Sequence, residues 1–367
     1  MKKIFIILFC VFIASPAFAG TSSLHTLWPY FKDAKMVQIP SYNSGPFPNE
    51  FITLKDGSYK KSPVKIDALI AYPKKGEGPF PVLVFNHASG GSWQWSNEWF
   101  KFDRLMARQL LKKGIAVMFV DNFNGRSVVS ADEDQSQVST YSFYIDAFMT
   151  LEYLSKDPRV NIKKVGITGW SRGGMNSLAI AEKRIRDALI SKDLYFAAAQ
   201  PRAPDCENVS LFGNPQPIKE TKTWMVLGGA DDYTRAEPCV EYGKKVKANG
   251  GDIEVTVKKG WHHGFLGNYP RELSEDAEIY WKCPRVWTED NGKYNKEYID
   301  WLVKNGAFES EEAMWEMAKN DPGKAYKRSG IAFKKSKCIF LGAHTGGDKG
   351  GKFMKPFLKF WEETLLN

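Results

Sequence analysis

The sequence predicts an α/β protein in which a mostly parallel central sheet has helices on both of its faces. From about residue 64 onward, strand-like and helix-like segments alternate along the chain, which is typical of such a sheet. The strand-like segments are short runs of aliphatic, β-branched or aromatic residues. Most are apolar throughout, as expected for strands covered on both sides. They occupy residues 82–85, 115–120, 165–168, 194–199, 223–227 and 253–257.

Helix-like segments separate these runs. The first has its apolar residues on one helical face and ends before Gly114, a residue type common just past helix C-termini. A second apolar face extends from Tyr144 to Leu154, and a third helix is expected to begin at Arg172. Because no repeat or low-complexity linker interrupts this region, we predict one core domain over residues 20–265, with an irregular lead-in and a hairpin over 20–63.

Residues 1–19 have the three parts of a cleavable signal peptide. Lys2 and Lys3 supply the positive charge, residues 4–14 form the apolar stretch, and residues 17–19 give the small-x-small sequence of a cleavage site. No later stretch has the roughly twenty apolar residues needed to span a bilayer, so we expect no stable membrane anchor. The prediction is a periplasmic or secreted protein.

The composition is that of a folded protein, because 43% of the residues are hydrophobic, 14% aromatic and 25% charged. The formal net charge is +9 at pH 7, but lysine and arginine are dispersed among aspartate and glutamate. Nucleic-acid binding typically requires basic residues clustered on one stripe. We therefore expect no nucleic-acid partner, and the sequence leaves the oligomeric state open.

Residues 266–367 form a C-terminal extension much longer than one closing helix requires. Its aromatic residues allow two interpretations: a helical subdomain with its own core, or a lid that shapes a substrate mouth. Residues 358–366 predict a final amphipathic helix that packs back on the core. The aromatic residues in question are Trp281, Trp287, Tyr294, Tyr298, Trp301, Trp315 and Tyr326.

Four of the five cysteines remain after the predicted signal peptide, which contains Cys10. An even number in an exported protein indicates disulfides. Three pairings are possible, and expected proximity in this architecture favours Cys206 with Cys239 and Cys283 with Cys338; the alternative is that some stay free and buried. Zinc is not expected, because neither Cys-x-x-Cys nor His-x-x-x-His spacing occurs.

A Gly-x-Ser-x-Gly motif lies at residues 169–173, between an apolar run and a predicted helix. A serine on a tight strand-to-helix turn exposes its hydroxyl at the carboxyl end of a sheet. Gly169 and Gly173 suit this turn because a side chain at either position would clash where strand and helix pass closely. The motif makes Ser171 the candidate nucleophile, and the alternative is a serine in an ordinary turn.

A serine hydroxyl needs a base to accept its proton and a carboxylate to orient that base. Of the five histidines, His262 and His263 follow the last predicted core strand, where this architecture places the base. We select His263, because the following Gly264 and Phe265 provide a tight turn and an apolar anchor. His262 is then expected to be a packing or surface residue.

The acid is expected between serine and histidine in chain order, on the loop after another strand. Asp231 and Asp232 occupy such a loop after the run at 223–227. We select Asp231 because it stands three residues beyond Gly228, the commoner position for the acid. Asp232 is the alternative, and would otherwise cap the turn or the next helix. The order Ser171, Asp231, His263 completes a candidate catalytic triad.

Acyl transfer also needs hydrogen-bond donors for the oxyanion that develops as the serine attacks. One candidate is the backbone N–H of Arg172, which follows the nucleophile at the N-terminus of its helix. The other is the backbone N–H of Ser89, in the His-Ala-Ser-Gly-Gly loop at residues 87–91. The alternative for this loop is a glycine-rich turn that binds no ligand.

Further segments accompany the triad: Val120-Asp121-Asn122-Phe123 with Arg126, Asp146-Ala147, and His263-Gly264-Phe265. Together with residues 79–91, 165–174 and 227–234, they resemble the dienelactone hydrolase family of α/β-hydrolases over roughly residues 64–265. The resemblance implies an α/β-hydrolase fold. It also implies hydrolysis of a small-molecule carboxylic ester through a covalent acyl-enzyme, with no metal and no organic cofactor.

The resemblance also bears on substrate binding. The family's lactone hydrolases use an arginine at about the position of Arg126 to bind a substrate carboxylate; the alternative is an ion pair with an acid in the wall. Trp170, next to the nucleophile, is predicted to bind substrate as well. Two departures make dienelactone itself an unexpected substrate: Ser171 replaces the family's cysteine nucleophile, and Ala88 replaces a glutamate in the oxyanion loop.

The sequence thus predicts an extracytoplasmic serine carboxylesterase. A second interpretation is an exported peptidase of the same fold, although the chain has no room for the propeller that oligopeptidases usually carry. A third is a catalytically silent α/β-hydrolase that binds a partner through its aromatic extension. The intact triad argues against this third interpretation.

Overall fold

The computed structural model of the chain describes residues 23–45, 47–132 and 134–367. The predicted signal peptide at residues 1–19 lies outside this part of the chain. Among the described residues, no helix has both the length and the apolar character required to cross a membrane.

Eight of the strands in the described residues form one sheet, in the order β1-β2-β4-β3-β5-β6-β8-β9. β2 is antiparallel to both of its neighbours, and the other neighbouring strands are parallel. The mostly parallel sheet predicted from the sequence is therefore confirmed. The strands are β1 (Lys35–Tyr42), β2 (Pro63–Ala71), β3 (Phe80–Asn86), β4 (Ala116–Asp121), β5 (Val160–Trp170), β6 (Ala198–Arg202), β7 (Asn208–Phe212), β8 (Lys222–Gly228), β9 (Ile253–Lys258), β10 (Glu272–Ile279), β11 (Val286–Thr288) and β12 (Phe340–Thr345).

Helices cover both faces of this sheet. Residues of α3, α4, α5 and α6 pack in the core on one face, and residues of α2 and α10 pack on the other. The helices are α1 (Glu50–Asp56), α2 (Phe102–Lys112), α3 (Thr140–Leu154), α4 (Arg172–Ala179), α5 (Lys183–Leu189), α6 (Ala236–Ala248), α7 (Lys296–Lys304), α8 (Glu311–Asn320), α9 (Pro322–Ser336) and α10 (Gly350–Leu365).

The continuous apolar runs follow from this two-sided burial. In β3, Val82 and Val84 belong to one core cluster, whereas Leu83 and Phe85 belong to the other. All four side chains are fully buried. Because successive side chains of a strand point to opposite faces, a central strand must be apolar at every position rather than at alternate ones.

Two predicted segments differ from the structure. The run at 194–199 overlaps β6 only at its end, because β6 extends from Ala198 to Arg202. Phe196 precedes the strand and is fully buried, so its apolar character reports burial rather than strand geometry. In the lead-in, β1 and β2 pair antiparallel but α1 lies between them, so they are not joined by a tight hairpin.

The C-terminal extension contains helices, as predicted, and also strands that the sequence did not reveal. β10 and β12 form an antiparallel pair, and β11 pairs with β7. Helices α7, α8 and α9 share a separate apolar cluster that includes Tyr294 and Tyr298. The last helix, α10, returns to the main core, where the Trp361 ring lies so close to Gly166 that an added Cβ would meet it at 2.3 Å.

The two disulfides have the pairing favoured from the sequence. Cys206–Cys239 joins the loop between β6 and β7 to α6. Cys283–Cys338 joins the loop between β10 and β11 to the segment after α9.

The parallel strands determine where the candidate site lies. The segments with Ser89, Ser171, Asp231 and His263 follow the carboxyl ends of β3, β5, β8 and β9, respectively. Because these strands are parallel within one sheet, their carboxyl ends lie at the same edge. Residues far apart in the chain therefore meet there.

Candidate active site

Ser171 occupies a sharp turn between β5 and α4, with φ +54° and ψ −118°. A residue with a Cβ is rarely found in this conformation, which costs of order 1–3 kcal/mol. The flanking glycines have the predicted packing role. An added Cβ at Gly169 would lie 2.5 Å from the backbone of Gly173, and one at Gly173 would lie 2.5 Å from the carbonyl oxygen of Asn86.

Three side chains form a hydrogen-bonded series at this turn. Nε2 of His263 lies 3.2 Å from Oγ of Ser171, and its Nδ1 lies 2.9 Å from Oδ2 of Asp231. The Asp231 carboxylate is buried and its other oxygen accepts the backbone N–H groups of Tyr233 and Thr234, at 3.0 and 2.8 Å. These bonds fix the carboxylate, which in turn orients the imidazole.

The two rival candidates lie next to this series but not in it. The backbone N–H of His344 donates to Oδ1 of Asp232 at 2.8 Å, and Nδ1 of the same histidine lies 2.7 Å from Oδ2. The His262 ring is also near His344, with ring centroids 5.4 Å apart. The structure therefore brings Asp231 and His263, rather than Asp232 and His262, beside the serine.

The residues of the two candidate oxyanion donors are bridged by a side chain to which no sequence motif points. Oε1 of Gln135 accepts hydrogen bonds from Oγ of Ser89 at 2.9 Å and from Nη1 of Arg172 at 2.8 Å. The backbone N–H groups of Ser89 and Arg172 carry no hydrogen bond to another described residue. No spacing rule points to Gln135, because it begins a short polar 3₁₀-helix, Gln135–Gln137, that lies 46 and 37 residues from the two partners.

The Arg172 side chain is buried below the turn. Burial lowers the pKa of its guanidinium to about 10, so it remains charged at neutral pH. The guanidinium donates to the carbonyl oxygen of Val138, and its carbon lies 4.9 Å from the centroid of the Phe143 ring. Among the described residues it forms no ion pair with a carboxylate.

Arg126 does not have the predicted role. It forms a two-point ion pair with Asp146, with Nη1 and Nη2 at 2.8 and 2.9 Å from the two carboxylate oxygens. Its remaining N–H groups donate to the side chain of Asn43 and to the carbonyl oxygens of Asn122 and Tyr42. Because all five donors of the guanidinium are used, none is left for a substrate carboxylate. The prediction that Arg126 binds substrate is corrected to a structural ion pair.

Trp170 lies beside the triad and lines a cleft. Its ring centroid is 5.4 Å from that of His263, and it stacks on Phe100 at 5.8 Å. The cleft is also lined by Ala88 and Arg202. The indole Nε1 is buried and has no hydrogen-bond partner among the described residues. Trp170 thus lies next to both the triad histidine and the cleft.

The same cleft contains a buried ion pair that no sequence motif revealed. Nη1 and Nη2 of Arg202 lie 2.6 and 3.1 Å from the two carboxylate oxygens of Asp103. The Nε of Arg202 is buried and makes no hydrogen bond within the described part of the chain. The partners are 99 residues apart in sequence, so neither could be assigned to the site before the fold was known.

His87, the histidine of the Ser89 loop, has a structural role. Its ring is buried, and Asn122 donates its backbone N–H to Nε2 at 3.1 Å. Nδ1 lies 2.7 Å from the carbonyl oxygen of Ala88, so the ring is the neutral tautomer with its proton on Nδ1. Burial lowers the pKa of this histidine, in agreement with that neutral form.

The sheet order and the strand–serine–helix turn define a protein of the α/β-hydrolase superfamily. The model of the dienelactone hydrolase family matches residues 66–287. The chain belongs to the dienelactone hydrolase family and is a hydrolase.

Curated relatives and solved structures resemble this region. The chain is 25% identical over 238 residues to "Protein usf" of Aquifex pyrophilus, covering 61% of this chain and 90% of that one. It is 27% identical over 227 residues to "Putative carboxymethylenebutenolidase" of Aquifex aeolicus (strain VF5), covering 58% and 87%. The propionate-bound esterase Est2 of Thermogutta terrifontis is similar with a TM-score of 0.42 and 16% identity, over 56% of this chain and 82% of that one.

Proposed function

We propose that the chain is a serine carboxylesterase that cleaves small-molecule esters through a covalent acyl-enzyme. The observation that carries this proposal is the hydrogen-bonded series from Asp231 through His263 to Ser171 at the carboxyl edge of the sheet. These residue types, in this connection, can activate a serine hydroxyl at neutral pH.

In the first half of the proposed reaction, Oγ of Ser171 attacks the ester carbonyl carbon while Nε2 of His263 accepts the hydroxyl proton. Asp231 accepts the Nδ1–H of the ring and stabilises the imidazolium that forms. The tetrahedral intermediate then collapses: the carbon–oxygen bond to the alcohol breaks, and Nε2 gives its proton to the departing oxygen. In the second half, Nε2 of His263 accepts a proton from a water molecule as its oxygen attacks the acyl carbon. The second tetrahedral intermediate then collapses: the bond from the acyl carbon to Oγ of Ser171 breaks, Nε2 returns the proton to Oγ, and the carboxylic acid leaves.

The backbone N–H groups of Ser89 and Arg172 would donate to the oxyanion of both tetrahedral intermediates. They suit this role because no other described residue accepts from them. Loss of one such donor typically lowers kcat by about 10² to 10³. Gln135, which accepts from the side chains of both residues, would hold the two donors at a fixed separation.

The cleft beside Trp170 is the proposed binding site for the substrate. Its walls are largely aromatic and apolar, with the Asp103–Arg202 ion pair as the main charged feature. Because Arg126 is fully engaged elsewhere, the proposal requires no carboxylate on the substrate at that position. The two disulfides support the predicted extracytoplasmic location, since disulfides persist in oxidising compartments.

A series of p-nitrophenyl esters of increasing acyl length tests the proposal. Purified wild type is compared with Ser171→Ala and with Ser191→Ala, a control at an exposed serine. We expect wild type and the control to hydrolyse the esters, with an optimum that measures the acyl pocket, and Ser171→Ala to lose the activity. A fluorophosphonate should label wild type at one site per chain and should not label Ser171→Ala.

Two outcomes would contradict the esterase. Cleavage of peptide amides without cleavage of any ester would identify a peptidase. Failure of folded wild type both to hydrolyse esters and to react with the fluorophosphonate would identify a catalytically silent binding protein.

A further inference from the structure

Next to the triad, a second group of polar side chains converges from three segments of the chain. Asp232, His262 and His344 each place one potential metal-ligating atom within 4.8 Å of the other two. Asp232 follows Asp231 on the loop after β8, His262 precedes His263 on the loop after β9, and His344 lies in β12 of the extension. The proposed reaction uses none of the three.

Hydrogen bonds within the described residues do not account for the whole group. Asp232 is bonded twice to His344, which fixes these two residues relative to each other. The Nδ1 atom of His262, in contrast, is buried and has no hydrogen-bond partner in the described chain. Burying such an atom without a partner is unfavourable, and a bound ligand would remove this cost.

We propose that Asp232, His262 and His344 bind a divalent transition-metal ion, with Zn²⁺ as the best fit. Two imidazoles and one carboxylate are typical zinc ligands, whereas Mg²⁺ and Ca²⁺ prefer oxygen ligands alone. Zinc ligands lie 2.0–2.2 Å from the ion, so neighbouring ligand atoms of a tetrahedral site are about 3.3 Å apart. The three ligand atoms already lie within 4.8 Å of one another, so small side-chain rotations that adjust their spacing would complete three of the four positions.

The bound ion would clamp the extension to the two loops of the catalytic acid and base. The backbone already joins these segments, because Gly346 donates its N–H to the carbonyl oxygen of His263 at 2.7 Å and His263 forms a bridge with Thr345. A metal ion would add a second connection, through the side chains of the residues next to Asp231 and His263. This inference goes beyond the proposed esterase and does not depend on it.

The test is zinc binding by the full mature chain after removal of metal with a chelator. Titration calorimetry with ZnCl₂ should give one ion per chain with a Kd in the micromolar range or tighter for wild type. His262→Ala and His344→Gln should each weaken binding by more than about tenfold, because even loss of an outer partner of a metal ligand costs 10–100-fold. Glutamine at position 344 can still donate to Asp232, so this variant separates metal binding from the hydrogen bond.

Thermal unfolding provides a readout that is independent of activity. Zinc should raise the unfolding midpoint of wild type and of His25→Ala, a control histidine in the 3₁₀-helix Ser23–Leu27, but not that of His344→Gln. Zinc binding by His263→Ala should persist, because that histidine is not a proposed ligand. The proposal is overturned if wild type binds no better than His344→Gln, or if binding is lost in His263→Ala and kept in His262→Ala.

Discussion

The strained backbone of Ser171 makes a prediction about stability that can be separated from catalysis. Ser171→Gly and Ser171→Ala both remove the hydroxyl and its contact with His263. They differ in the Cβ atom, which is unfavourable at φ +54° and ψ −118°. We therefore expect the glycine variant to be the more stable of the two, although glycine usually destabilises a folded chain relative to alanine.

The size of the difference follows from two opposing contributions. Relief of the backbone strain favours the glycine variant by about 1–3 kcal/mol. The greater freedom of glycine in the unfolded chain favours the alanine variant by about 0.4–1 kcal/mol. The net expectation is a free energy of unfolding about 1 kcal/mol higher for Ser171→Gly, or a rise in Tm of about 1–2 °C for a chain of this size.

Urea unfolding with the disulfides intact measures this difference. The matched control is the pair Ser191→Gly and Ser191→Ala, at an exposed position without a positive φ. There the order should reverse, with the alanine variant more stable by about 0.5 kcal/mol. If Ser171→Gly is no more stable than Ser171→Ala, or if both positions favour glycine equally, the turn at Ser171 is not strained.

Three further predictions concern two buried charged groups and the serine turn. Burial raises the pKa of the Glu50 carboxyl from 4.5 to about 7. The unfolded chain therefore loses this proton at a lower pH than the folded chain, so the free energy of unfolding of wild type falls as pH rises from about 4.5 to 7. Between pH 4 and pH 8, the free energy of unfolding of Glu50→Gln in urea should rise by about 3 kcal/mol relative to that of wild type. Arg126→Met leaves the Asp146 carboxylate buried without its ion pair and should cost about 3–5 kcal/mol of unfolding free energy; unchanged stability with a raised KM for carboxylate-bearing esters would contradict this. Gly169→Ala should lower kcat/KM for p-nitrophenyl esters at least about tenfold, because its Cβ would lie 2.5 Å from the α4 backbone. The control is Gly351→Ala, which should have no effect because an added Cβ there meets open space.

Much of the fold could be predicted because one physical requirement is visible in the sequence. Strands covered on both faces must be apolar throughout, and four of the predicted runs, 82–85, 165–168, 223–227 and 253–257, lie entirely within β3, β5, β8 and β9. The same rule misplaced β6, since Phe196 is buried without being in the strand. An apolar run indicates that a segment is buried, and it predicts a strand correctly only where the buried segment is also a strand.

The candidate triad was accessible for a different reason. Parallel strands bring their carboxyl ends to one edge, so a serine, an acid and a histidine that each follow such a strand are expected to meet. The roles of Arg126 and Gln135 were not accessible in this way. An arginine carries the same five donors wherever it lies, and only the fold shows that all five are used here. Their acceptors lie on Tyr42, Asn43, Asn122 and Asp146.

The Asp232–His262–His344 group could not be predicted from the short sequence spacings that are typical of metal ligands. Zinc was not expected because no short ligand motif occurs, yet His344 lies 112 residues from Asp232 and contacts it. The contact depends on the pairing of β12 with β10, which sets His344 opposite Leu273, and on the bond from Gly346 to His263 that holds β12 beside the catalytic loops. An extension that supplies a side chain to the loops of Asp231 and His263 can therefore influence the geometry of these loops without touching substrate.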